Sequence, residues 1–298
     1  MKKQLGYIGL GKMGFGMVEH LLEKGYEVVA YNRSLEAVHK IAGEGAIGAE
    51  TIAGMVAKLP VPRVVWVMVP QQAVTAVVTE LLPLLAEGDT IIDGGNTKYT
   101  ETVLRGELIR NAGVHFLDVG VSGGPRGARE GACLMVGGER TAYDELSELF
   151  RDIAAPEAYA YLGKSGAGHF TKMVHNGIEY GMMQAIAEGF EVLKKSEFDI
   201  SLTEAVRIYG NQSVISSRLI DWLRDGYAVY GEDLAEISGS VEGTGEGAWT
   251  VEAGKKLHVP TPIIEGSVRF REDSKVNPSY AGKVLSTLRN QFGGHNAK

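Results

Sequence analysis

The sequence predicts an α/β, doubly wound sheet in its first half and an all-α second half. Three observations carry that prediction. Strand-like runs at Leu5 to Gly9, Glu27 to Tyr31, Val64 to Val69, Thr90 to Asp93 and Val114 to Val119 alternate with segments of helical period. Such alternation implies a parallel sheet covered by helices on both faces. After Gly163 the strand pattern stops, and Gly166-Ala167-Gly168 punctuates the change.

The remaining elements follow in order. Cys133 to Val136 reads as a strand, Thr141 to Ile153 as a helix, and Ala158 to Leu162 as a last strand. Phe170 to Lys195 contains no Pro and reads as one long helix. Its residues Phe170, Val174, Ile178 and Ala185 are expected to face the core. Further helical patterns lie at Leu202 to Tyr209, Val214 to Leu223, Trp249 to Lys256 and Pro262 to Glu272. His295 to Lys298 looks like a tail. The expected division is residues 1–165 for the sheet domain and 166–298 for a helical domain.

Length and composition narrow the class. The chain has 298 residues, 44% hydrophobic and 22% charged, enough for two apolar cores. A net charge of −7 gives no reason to expect nucleic acid, which needs a basic surface. Cys133 is the single cysteine, so no disulfide or cysteine-based metal cluster is expected. Met1-Lys2-Lys3-Gln4-Leu5 lacks the apolar core of a secretory signal, and no apolar run spans a bilayer. A cytoplasmic protein without a membrane partner is expected.

Gly9-Leu10-Gly11-Lys12-Met13-Gly14 matches G-x-G-x-x-G between the first strand and a helix. Gly9 permits a tight turn, Gly11 lets a pyrophosphate approach the backbone, and Gly14 lets helix pack close to strand. The helix N-terminus then offers N–H groups and a positive dipole end to phosphates. That is a Rossmann-type dinucleotide site. The second strand ends Tyr31-Asn32-Arg33-Ser34, without the acidic residue that takes the ribose hydroxyls of NAD. Asn32 does not repel a 2′-phosphate, Arg33 can pair with one, and Ser34 can donate to it. NADP is therefore expected over NAD. Val69 and Pro70 fit a loop beneath the nicotinamide, and a buried strand ending at a proline turn explains them equally well.

Three further segments stand where such a sheet places ligands, at the carboxyl ends of its strands and where the second domain begins. Asp93-Gly94-Gly95-Asn96 ends one strand, with Asn96 able to meet cofactor or substrate. Ser122-Gly123-Gly124 ends another. The third is Lys172-Met173-Val174-His175-Asn176-Gly177-Ile178-Glu179-Tyr180. Positions 172, 175, 176 and 179 share an arc of about 100° on a helix. A solvated face with a Lys–Glu pair has the same pattern.

These residues carry a family resemblance. With the glycine motif, Asp93-Gly94-Gly95-Asn96 and Val121-Ser122-Gly123-Gly124, the 172–180 run resembles the 6-phosphogluconate dehydrogenases, within the wider β-hydroxyacid dehydrogenase group. The match runs nearly end to end and corresponds to the short bacterial form, which lacks a second helical repeat. The resemblance implies oxidative decarboxylation of 6-phosphogluconate without a metal. It implies Lys172 as the base that takes the C3 hydroxyl proton and Glu179 as the acid that protonates the enediol carbon. It implies that Asn96, Ser122, Gly123, Gly124, His175 and Asn176 bind substrate. A neutral Lys suits a general base, and burial or a nearby cation makes it neutral.

The resemblance further implies a phosphate site from Tyr180, Arg271 and the tail residues Arg289 and His295. In the family the last two lie near a partner chain's site, so a homodimer or homotetramer is expected. This sequence departs from the pattern at Glu242-Gly243-Thr244-Gly245, where Glu242 stands in place of a Lys. Two alternatives remain open at this point. One is a β-hydroxyacid dehydrogenase for a smaller acid, such as 3-hydroxyisobutyrate or tartronate semialdehyde, and the other is a non-catalytic nucleotide sensor.

Overall fold

The β-rich runs form one eight-stranded sheet, in a computed structural model that describes residues 3–298. The strands are β1 (Gln4–Ile8), β2 (Glu27–Tyr31), β3 (Ile47–Ala49), β4 (Val64–Val67), β5 (Thr90–Asp93), β6 (His115–Ser122), β7 (Ala132–Gly138) and β8 (Ala154–Gly163). Their order is β3-β2-β1-β4-β5-β6-β7-β8. Met1 and Lys2, part of the N-terminal segment read above, lie outside the described residues.

Alternate residues of the central strands feed two separate cores. Val64 and Trp66 pack on one face with Met17, Leu21, Val38 and Ile41, while Val65 and Val67 pack on the other with Ile52, Met55, Val74 and Val78. The covering residues come from α1 (Lys12–Glu23), α2 (Leu35–Gly43), α3 (Ile52–Val56) and α4 (Gln71–Leu81). Burial on both faces explains the continuous apolar runs.

The sheet departs from expectation in three places. β3 went unseen because it is three residues long with a central glycine. β7 runs antiparallel to β6, not parallel. The connection there is little more than the seven-residue helix α6 (Gly124–Glu130), too short for a parallel crossover. The helix read over 141–153 is two, α7 (Arg140–Glu145) and α8 (Ser147–Ile153).

The compact units divide after Lys172, inside α9 (Ala167–Lys195). Before that divide, α9 is anchored in the sheet. Asp118 of β6, fully buried, accepts hydrogen bonds from the backbone N–H of Gly166 at 2.7 Å and of His169 at 2.9 Å. The His169 ring meets Thr102 of α5 (Tyr99–Asn111) at 2.8 Å. A carboxylate on orphan N–H groups at a helix start is a strong cap. Gly168 lies so close that an added Cβ would strike the carbonyls of Asp118 and Met135.

The second unit adds α10 (Leu202–Tyr209), α11 (Arg218–Tyr230), α12 (Glu246–Lys256), α13 (Pro262–Asp273) and α14 (Tyr280–Gly293). No strand follows Gly163 among the described residues. α9 buries Met173, Tyr180, Met183, Ala187 and Phe190 rather than the stripe expected for it. Phe170 and Val174 are half-buried, and Ile178 and Ala185 are exposed. α11 begins four residues later than its apolar pattern because Ser217 caps it, accepting from Ile220 N–H, and leaves Val214 and Ile215 exposed. α14 was not foreseen. The last residues are not a loose tail: Ala297 is buried and its carbonyl accepts from Ser238 N–H at 2.7 Å.

Asp118→Ala should destabilise the protein by about 2 kcal/mol, the size of a lost charged cap with two buried N–H groups left unmade. Urea unfolding followed by far-UV circular dichroism checks this; a variant within about 0.5 kcal/mol of the parent would show that the cap carries no stability.

Candidate active site

In the first unit the glycine loop closes by backbone contact. Gly9, at φ +107°, has its N–H bonded to the Tyr31 carbonyl at 3.0 Å, and an added Cβ would strike the Met68 carbonyl. A Cβ on Gly14 would strike the Gly9 carbonyl, so helix and loop touch there. Gly11 is exposed, is the N-cap of α1 without a side-chain cap, and a Cβ on it meets nothing within 4 Å. Lys12 and Met13 open α1 behind it.

Asn32 has a role that its position in sequence did not show. Its Oδ1 accepts from the Leu10 N–H at 3.0 Å, and its Nδ2 donates to the Ser34 carbonyl at 3.3 Å. It thus ties the end of β2 to the glycine loop. Arg33 and Ser34 beyond it are exposed. Val69 flanks both Gly9 and Gly95, so the loops after β1, β4 and β5 converge, with Pro70 starting α4. Uncapped N–H groups, a glycine without obstruction and an exposed Arg fit the pyrophosphate and ribose of a dinucleotide.

Further along the sheet, Asp93 is buried and accepts from Gly95 N–H at 3.1 Å and from Arg105 Nη2 at 3.3 Å. That fixes the loop that presents Asn96, which is exposed. Ser122 ends β6, and Gly123 and Gly124 take φ of +121° and +63° to start α6. Two residues back along β6, an added Cβ on Gly120 would strike the Lys172 Cβ and the Gly168 carbonyl. The half-buried Lys172 therefore leaves its helix directly over the sheet.

The second unit gathers most of the other predicted residues. His175 Nδ1 lies 2.9 Å from Asn176 Oδ1 and 3.8 Å from Glu179 Oε2. The Tyr180 hydroxyl accepts from Thr244 N–H at 3.2 Å, and the Arg271 guanidinium stacks on its ring at 3.6 Å. Arg271 is only 4% exposed, and just one of its groups is spent: Nη1 donates to the Glu242 carbonyl at 3.2 Å. Nε and Nη2 are buried without a hydrogen-bond partner. Burial lowers the Arg271 pKa, Tyr180 opposes that, and Arg289 adds to it. A guanidinium so placed is a receptor for an anion.

Glu242, standing where the family pattern has Lys, has its side chain exposed; what it gives Arg271 is its backbone carbonyl. Arg289 is buried in α14, close enough to influence Arg271 within one chain. His295 packs edge-on against Phe292, and its carbonyl accepts from Asn290 Nδ2 at 2.8 Å. The sequence reading missed Glu246. It is 3% exposed at the start of α12, and its Oε1 accepts from Asn176 Nδ2 at 3.1 Å. The glycines on either side of it were the only sign.

Residues 4–163 match the family described as the NAD binding domain of 6-phosphogluconate dehydrogenase, and residues 168–291 match its C-terminal domain. The Bacillus subtilis protein YqeC, itself only provisionally designated a 6-phosphogluconate dehydrogenase, is 44% identical over 98% of each chain. The NAD(+)-dependent, decarboxylating 6-phosphogluconate dehydrogenase of Haloferax volcanii is 40% identical over 98% of this chain and 97% of its own. Among solved structures, Plasmodium falciparum 6-phosphogluconate dehydrogenase, described in apo form and in complexes with NADP+ and with 6-phosphogluconate, gives a TM-score of 0.81. It is 27% identical, over 96% of this chain and 70% of that one. The chain belongs to the 6-phosphogluconate dehydrogenase family of NAD(P)-dependent oxidoreductases.

Proposed function

We propose that this protein oxidises and decarboxylates 6-phospho-D-gluconate to D-ribulose 5-phosphate and CO2, reducing NADP or NAD, with NADP favoured. The observation that carries the reading is the run Lys172, His175, Asn176, Glu179 and Tyr180 on α9, with a buried guanidinium, Arg271, stacked on the last of them. A smaller, unphosphorylated acid has no use for that group. The same reading includes a cytoplasmic homo-oligomer with the C-terminal segment near a neighbour's site. No helix among the described residues is long and apolar enough to cross a membrane.

A bound nicotinamide would supply the acceptor for the hydride leaving C3 of the sugar acid. Lys172 takes the C3 hydroxyl proton as a general base. In the resulting β-keto acid the C1–C2 bond breaks, and its electron pair forms the C2–C3 double bond of an enediol as CO2 leaves. Lys172 returns its proton to the C3 oxygen, and an N–H of Asn176 polarises that carbonyl. Glu179 then delivers a proton to C2 while Lys172 takes back the C3 hydroxyl proton and the enediol collapses to the ketone. Asn96, Ser122, Gly123, Gly124 and His175 hold the hydroxyls and carboxylate. Tyr180, Arg271, Arg289 and His295 hold the phosphate. The glycine loop Gly9 to Gly14, Val69 and Pro70 would hold the dinucleotide, with Arg33 and Ser34 available to a 2′-phosphate.

Lys172→Met should lower kcat by about a thousandfold or more with 6-phosphogluconate, while Glu179→Gln should slow formation of ribulose 5-phosphate but retain cofactor binding. Turnover by Lys172→Met near the parent rate would sink the assignment. Arg271→Met should raise KM for 6-phosphogluconate at least about tenfold and leave weak turnover of gluconate unchanged, since only the phosphate loses a charged partner. Equal turnover of the two acids by the parent enzyme would exclude a phosphate-reading site. Arg33→Ala should raise KM for NADP about tenfold without moving KM for NAD; parallel changes would leave Arg33 without a role in selection.

A further inference from the structure

We infer that Glu246 is a positioning residue, which sets the proton on His175 through Asn176 and so makes His175 an acceptor toward substrate. The inference rests on the proposed reading of the 172–180 helix as the substrate-binding face. Four residues of the second unit are involved, in the order Glu246, Asn176, His175, Glu179.

Glu246 has little freedom. It opens α12 and is 3% exposed, and that helix is pressed against α9. Thr250, one turn on, donates from Oγ1 to the carbonyls of Met173 at 2.8 Å and Glu246 at 2.9 Å. A Cβ on Gly177 would come within 2.7 Å of the Thr250 side chain, and one on Gly247 within 2.5 Å of the Tyr180 ring. The contact at 3.1 Å between Glu246 Oε1 and Asn176 Nδ2 is thus held from both sides.

The polarity of the chain then follows from donor and acceptor inventories alone. Glu246 Oε1 accepts from the NH2 end of the Asn176 amide. Oδ1 is consequently turned to His175 Nδ1, 2.9 Å away, and an amide oxygen only accepts. Nδ1 must carry the hydrogen. Glu179 Oε2, 3.8 Å from the same nitrogen, favours the same placement. In a neutral ring Nε2 is then a lone pair, which accepts from a hydroxyl and has nothing to offer a carbonyl. A site so built selects for a hydroxyl-bearing acid and against its deoxy or keto analogue.

The test reads the tautomer directly. In 15N-labelled protein at about pH 8.5, well above the ordinary imidazole pKa, two-bond 1H–15N correlations distinguish Nδ1–H from Nε2–H. The His175 signals are assigned by their loss in His175→Gln. We expect Nδ1–H in the parent, retention in Glu246→Gln, whose carbonyl still accepts from Asn176, and a mixed tautomer in Glu246→Met. In kinetics, Glu246→Gln should stay within about threefold of the parent, and Glu246→Met should raise KM for 6-phosphogluconate about tenfold without moving KM for the cofactor. An Nε2–H tautomer in the parent overturns the inference, and needs no variant to fold. An unchanged tautomer in Glu246→Met overturns it too, as does an equal loss in the Gln and Met variants, which would make Glu246 a charge partner only. Absence of 6-phosphogluconate turnover by the parent, with the tautomer pattern intact, would instead defeat the proposed function.

Discussion

The placement of α9 depends on a buried carboxylate holding a helix end. Asp118 leaves the middle of β6 and accepts from the N–H of Gly166, just before α9, and of His169 in its first turn. No apolar residue does the same, because the orphan N–H groups of a buried helix start need acceptors. Gly120 and Gly168 let the helix descend onto the strand until Lys172 stands over it. The candidate base is therefore positioned by the sheet, through hydrogen bonds and absent side chains, with Phe170 edge-on against Tyr99 beside it.

The cofactor loops follow the same economy. Glycines at 9 and 14 bring backbone against backbone, and Asn32 joins the second strand to the loop with its amide. The residue at the end of β2 then serves two ends. It stabilises the loop from within, and it puts no charge beside the exposed Arg33 and Ser34. An Asp there would make the same hydrogen bond to Leu10 N–H and reverse the electrostatics toward a 2′-phosphate.

The second unit handles charge differently. Burying a guanidinium with two of its three nitrogens unmade is costly unless a ligand completes it. Arg289 nearby raises that cost, and the Tyr180 ring offsets part of it. Glu246 and Glu179 bring negative charge to the same cluster, so the unit balances its ions around the face that α9 presents.

The sequence alone determined the alternation of strand and helix, the glycine motif at the head of the first βαβ unit, and the polar arc of the 172–180 run. Each is a local pattern, written in the period of the backbone or in residues a few positions apart. Tertiary structure decided the rest. β3 was too short to show a period, and β7 reversed because a short helical connection cannot cross the sheet. The buried stripe of α9 moved because burial depends on which helices cover it. α14, whose apolar positions the sequence reading left unassigned, is a helix that buries Arg289. Asp118, Asn32 and Glu246 stayed silent in sequence for one reason. A carboxylate or amide declares its role only when a partner far along the chain arrives within hydrogen-bonding distance.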